Sequence, residues 1–189
     1  FDTAQGFGLR TVAGEATGYA HASELSEEAI GRAANAVQAV KAGHSGSLAL
    51  DPARTNMKLY AEGNPIDAVP FAEKVALMEK INAFARGRDP RVRQVSCSLY
   101  GEWRAIEILR AGGHTVRDVR PLVRLNVSVV MGEGDRQETG SHGGGGRLAY
   151  SHYLQAETWE AFVDEAIRQA TVNLDSRPAP AGEMDVVLG

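Results

Sequence analysis

The chain has a single cysteine, Cys97, among 189 residues. That excludes an internal disulfide and any multi-cysteine zinc site within one chain, and it fits a reducing, cytoplasmic setting. No apolar run approaches the roughly 20 residues of a membrane helix, so no membrane partner is expected. Phe1-Asp2 brings no initiator methionine, no basic n-region and no apolar signal core. Positive charge is not in excess. Lys and Arg number 20 against 24 Asp and Glu, and the net charge of −4 argues against direct nucleic-acid binding. What is present, 43% hydrophobic and 23% charged residues, is the composition of an ordinary globular chain with one hydrophobic core.

The pattern predicts an α+β fold, with a largely antiparallel meander and two to three helices on one sheet face, in one domain over 1–189. Phe7 to Ala13 alternates, and Gly14-Glu15-Ala16-Thr17-Gly18 leads to Tyr19-Ala20-His21-Ala22, a hairpin with a glycine-containing loop. Ser26 caps a helix whose stripe is Ile30, Ala33, Ala34, Val37 and Val40, closed by Gly43. Residues 44–67 read as a long polar loop. A second helix spans about 70–86, burying Phe71, Val75, Met78, Ile81 and Ala85, with Gly87 at its end. Strands follow at 92–100, 103–110, 114–120 and 122–131, with Gly112-Gly113 as a hairpin turn. Val123, Leu125, Val127 and Val129 point inward. Gly132-Glu133-Gly134-Asp135 turns into a partner strand at 136–139. The clearest helical stripe is Trp159, Phe162, Val163, Ala166, Ile167, Ala170 and Leu174, on a helix over about 158–175. After a Pro/Gly linker, Val186-Val187-Leu188 reads as a short buried strand. A strand ending at Gly189, together with the abrupt start, leads us to expect an excised piece of a longer protein.

Few residues announce chemistry. His142 and His152 are ten apart, and His21, His44 and His114 are scattered, so none has metal-ligand spacing. Cys97 falls on the apolar face of a strand and reads as a buried, inert thiol. Glu102 and Glu107 have no reason to converge. Arg117, Arg120 and Arg124 fall short of a nucleic-acid stripe, since no aromatics interleave them. No catalytic or metal-binding residue is assigned. The odd segment is Gly140-Ser141-His142-Gly143-Gly144-Gly145-Gly146-Arg147, a predicted glycine-rich loop. It lacks the Lys-Ser/Thr of a P-loop and the spacing of a dinucleotide fingerprint. Two readings stand. One is a substrate-binding loop in which Gly143, Gly144, Gly145 and Gly146 let a peptide or anion approach closely and Arg147 pairs a carboxylate. The other is a mobile surface connection.

Several segments in register carry a resemblance. Phe1-Asp2-x-x-Gln5-Gly6-x-Gly8-x-Arg10 with Gly14-Glu15-x-Thr17-Gly18-x-Ala20, then Arg120-Pro121-Leu122-Val123-Arg124-Leu125-x-Val127-Ser128-Val129, the glycine run with Arg147, and Val172-Asn173-Leu174 with the tail Ala179-Pro180-Ala181-Gly182-x-Met184-x-Val186-Val187-Leu188-Gly189 together resemble the TldD/PmbA family, on its TldD side. The resemblance covers essentially the whole chain and identifies it as the N-terminal region of a longer protein. It implies a zinc metallopeptidase that degrades unfolded peptides, once called a modulator of DNA gyrase, whose TldD-like subunits pair with TldE/PmbA-like subunits or form homodimers. In the family, a His-Glu-x-x-x-His helix beyond the Val-Val-Leu-Gly segment holds the zinc with a later cysteine. This chain lacks that motif, so no cofactor is expected in it and zinc is expected only in the full-length protein. The alternative is a non-catalytic module that acts through protein contacts, with gyrase or another partner. A stand-alone α+β protein is the third reading.

Overall fold

The computed structural model describes residues 2–41, 59–60, 62–178 and 181–187, and the expected Gly43 cap, the loop over 44–58, His44 and Leu188-Gly189 lie outside them. The chain divides into two compact units, Phe1–Thr55 and Asn56–Gly189.

In the first unit, strands β1 (Phe7–Ala13) and β2 (Ala16–Ala22) pair antiparallel. The expected glycine-containing loop is a two-residue turn at Gly14-Glu15, because Gly14 takes a φ of 60° that a tight hairpin requires. Helix α1 (Glu27–Gln38) begins where Ser26 Oγ accepts the Ala29 amide at 3.1 Å, and Glu27 and Glu28 occupy its electropositive first turn. Its buried side is Ala29, Ala33 and Val37, so Ala33 and Val37 of the expected stripe face inward, while Ile30 stands 47% exposed and Ala29 takes its place.

The second unit is a three-stranded meander with helices on one face. Helix α2 (Phe71–Arg88) runs past Gly87. It stops at Asp89 because Pro90 forces the residue before it out of helical geometry. Leu77, Ile81 and Ala85 are its buried residues. Phe71 and Val75, expected inside, are 80% and 40% exposed. Strands β3 (Val92–Arg110) and β4 (His114–Glu133) are each one continuous strand where two were expected. Pro121 does not interrupt β4, and the ladder explains why. Strand β5 (Arg136–Gly146) ends opposite Val123. Pro121 stands beyond that end, on the side where no third strand needs its N–H. Gly112 and Gly113 close the β3–β4 hairpin at φ of 92° and 82°, and Gly134 closes β4–β5 at 58°.

The short helix α3 (Ser151–Leu154) leads into α4 (Ala156–Asp175), which lies over β4 and β5. Val123, Leu125, Val127, Val129 and Met131 of β4 face Ile81, Trp159, Val163, Ala166 and Ala170, all within one apolar cluster. Burying such side chains contributes about 1.5–3 kcal/mol each. The α+β meander with helices on one face is the architecture expected. The tail differs: residues 181–187 form no strand, and Val186 and Val187 are 70% and 96% exposed. Without a neighbouring strand or an apolar cover, a short β-branched run has nothing to bury against.

Candidate functional site

The largest departure from the sequence reading is the glycine run. The expected loop at 140–147 is the second half of β5, paired from Gly140↔Val129 to Gly146↔Val123. Glycine is a poor strand former, so packing must explain the choice. A Cβ on Gly140 would overlap Ala166 O and Ala170 N of α4. One on Gly144 would stand 2.8 Å from the Phe162 ring, and one on Gly143 2.7 Å from Leu125 O. The run lets α4 close on one face of β5 while β4 pairs tightly beside it.

β5 is also an edge strand, since the sheet order is β3-β4-β5. Its outer backbone is partly occupied. Asn173 Nδ2 donates to Thr139 O at 3.1 Å, and the Ser141 amide donates to Gln169 Oε1 at 3.4 Å. Gln169 is itself held by Glu165, whose carboxyl is pulled down to about 2 by hydrogen bonds from Arg168 and then Gln169. In an antiparallel ladder alternate residues turn outward, so Gly143 and Gly145 share the parity of Thr139 and Ser141. Among the described residues no side chain bonds the outward groups of Gly143 or Gly145. This leaves a short open edge with no side chains to obstruct it.

The two faces beside that edge differ. On the helix side, His142 packs edge-on against Phe162 at 5.1 Å, and Phe162 meets Tyr153 at 6.3 Å. On the other side is an open groove of about 460 Å³, lined by Ser96, Ser98, Arg124, Asn126, Ser128 and Ser141 among others. The register explains it: Ser96↔Ser128↔Ser141 and Ser98↔Asn126↔Gly143 are rows across the sheet. Arg124 Nε donates to Asn126 Oδ1 at 2.8 Å, and Asn126 Nδ2 donates to Ser98 Oγ at 3.4 Å.

Gly143, Gly144, Gly145 and Gly146 thus stand together at the edge. Arg147 turns away from it, donating to Pro121 O at 3.3 Å and stacking on Tyr60 at 4.9 Å. Cys97 lies half-buried on the apolar face with Sγ toward Met78 O, and burial pushes its thiol pKa up, as an inert core thiol requires. Glu102 bonds Tyr100 and Arg104, and Glu107 pairs with Arg117, so these two carboxylates do not converge. The sequence reading missed Arg124 and Asn126 as groove residues. The signal lies in spacing: Arg104, Arg120 and Arg136 each have an acid two residues away as partner, whereas Arg124 has Asn126.

Residues 64–174 match the family model of the PmbA/TldA metallopeptidase central domain. The chain belongs to the PmbA/TldD family. The matched domain is described as central. The metalloprotease TldD homologue of Haemophilus influenzae is 36% identical over 197 residues, covering 100% of this chain and 41% of that protein. The homologue of Buchnera aphidicola subsp. Schizaphis graminum is 34% identical, covering 98% and 40%. The chain therefore spans about 40% of the length of these relatives. Its fold matches a Thermotoga maritima protein described as a modulator of a DNA gyrase, at a TM-score of 0.70 and 18% identity over 94% of this chain and 39% of that one. A corresponding Bacteroides thetaiotaomicron protein gives 0.64 and 15%, over 88% and 39%. For the PmbA/TldD chain a metal is the obvious question. Among the described residues no three His, Cys, Asp or Glu side chains converge on one point. No helix among them is long and apolar enough to cross a membrane.

Proposed function

We propose that this chain is the peptide-holding and subunit-contacting part of a cytoplasmic, TldD-like zinc metallopeptidase that hydrolyses unfolded peptides. The observation that carries the reading is the open edge at Gly143 and Gly145. An extended peptide laid beside β5 gains backbone hydrogen bonds there, and these bonds do not depend on its sequence. An unfolded chain offers such backbone; a folded one does not. Zinc, held elsewhere in the whole protein, would supply carbonyl polarisation and water activation. This chain's own part is to hold the substrate extended. Arg147, fixed by Pro121 O and Tyr60, secures the end of β5 in this reading, and its remaining donors stay available to a carboxylate.

The test is binding of the chain to an unstructured peptide and to the same peptide N-methylated at alternate residues. N-methylation on the bonded parity is expected to abolish binding, and on the other parity to leave it. Equal binding of both methylated peptides would sink the strand-addition reading.

Subunit pairing, with a TldE/PmbA-like chain or a second copy, is assigned to the ribbon formed by β3 and β4 beyond the end of β5. Leu109 and Ile108 there are 74% and 49% exposed, and a two-stranded ribbon gains little stability alone. The same ribbon supports the alternative of a module acting only through protein contacts, as the gyrase-modulator name of the structural relatives implies.

A further inference from the structure

We infer that the groove beside the glycine edge is a carboxylate subsite built on Arg124, so that the bound peptide is read at one position for negative charge. The inference rests on the proposed strand addition at Gly143 and Gly145 and goes beyond it, since backbone pairing by itself is indifferent to sequence.

Side chains of an added strand alternate between the two sheet faces. A residue opposite Gly143 or Gly145 places its side chain on the face away from the helices, over the groove. Neither glycine offers a side chain to block it. Arg124 is the cation at this point, paired in register with Gly145. A Cβ on Gly145 would stand 3.1 Å from Arg124 Cβ and Cγ, so the arginine stem lies across the bare strand toward its edge. Asn126 Oδ1 takes Arg124 Nε at 2.8 Å and fixes the head, and the terminal amines have no carboxylate partner among the described residues. A guanidinium held by its Nε presents its remaining donors as a fork suited to a carboxylate. The hydroxyls of Ser98, Ser128 and Ser141 line the groove and add neutral donors. Four other arginines of these strands do not compete for the role: Arg104, Arg117, Arg120 and Arg136 are neutralised by Glu102, Glu107, Asp118 and Glu138.

The carboxylate could come from an Asp or Glu side chain or from a peptide C-terminus. The experiment is an amide NMR titration of the chain with acetylated peptides of about ten residues, long enough for one extended strand. One carries a central Glu and an amidated end, a second Gln and an amidated end, and a third Gln and a free C-terminal carboxylate. The expected result is that the Glu peptide binds about tenfold more tightly than the amidated Gln peptide, with a preference that weakens as salt rises. Arg124→Gln is expected to remove the preference and Arg124→Lys to keep part of it, with spectra elsewhere unchanged. A gain confined to the free-carboxylate peptide would assign the source to the terminus instead. Equal affinity of all three peptides, with Gly143 and Gly145 amides shifting in each titration, would overturn the carboxylate subsite and leave strand addition standing. If no peptide moves those two amides, strand addition fails and the subsite with it.

Discussion

Gly140 and Gly146 lie on the same face of β5, yet their surroundings differ. A methyl group at Gly140 would overlap the backbone of α4 at Ala166 and Ala170, whereas at Gly146 the nearest atoms are the Leu148 side chain at 3.5 Å. A helix backbone cannot step aside without losing the contacts of Val163, Ala166 and Ala170 with β4. Gly140→Ala is therefore expected to destabilise the fold by about 1–3 kcal/mol. Gly146→Ala, in ordinary contact and without a positive φ, is expected to be neutral or to stabilise by up to about 1 kcal/mol through the unfolded chain. Urea denaturation of both variants decides it, and equal losses would show that glycine at 140 is not there to admit the helix.

At the scale of elements, β3 and β4 outrun β5. Over Val123 to Met131, β4 is a central strand, covered by α4 and flanked on both sides; from His114 to Leu122 it belongs to a ribbon only two strands wide. Trp103 at 39% exposure, with Ile108 and Leu109, lines that ribbon, and its charges are satisfied internally by Arg117–Glu107 and Arg120–Asp118. Apolar, self-neutralised surface is the kind that partner chains cover. Leu109→Lys combined with Ile108→Lys is expected to shift the protein toward monomer in sedimentation velocity while leaving the unfolding midpoint within about 0.5 kcal/mol of the parent, as for other surface changes. An unchanged sedimentation distribution would remove the ribbon from the subunit contact. The same scale shows what the sequence discloses. α4 and the inward face of β4 are legible because their apolar residues recur at the helical and strand periods. The outer half of β5 is not legible, because periodicity is read from side chains and this stretch has almost none. Its strand state comes from packing against α4 and β4, outside the stretch itself. Arg124 was hidden for a related reason: its neighbours are ordinary, and only the missing acid at 126 sets it apart.

At the scale of the whole molecule, the two units differ in what they bury. Among the described residues the first buries Ala13, Ala29, Ala33 and Val37, three of them alanines. The second fully buries Ile81, Leu125, Met131, Val123, Val127, Val129 and Val163. Alanine contributes little apolar area, and stabilisation scales with that area at about 25 cal/mol per Å². A segment of the first unit's size is also near the lower limit at which a chain folds on its own core. Local opening draws on the least stable regions first. Native-state hydrogen exchange is therefore expected to show β1, β2 and α1 opening at much lower free energy than Leu125, Val127 and Val129, whose amides should exchange only on global unfolding. This ordering fits the proposed division of labour, in which the rigid sheet presents a fixed edge to the peptide. Slow exchange at Leu125, Val127 and Val129 with equally slow exchange throughout α1 would mean that the chain unfolds as one cooperative body. The small buried side chains of the first unit's described residues would then be no guide to its stability.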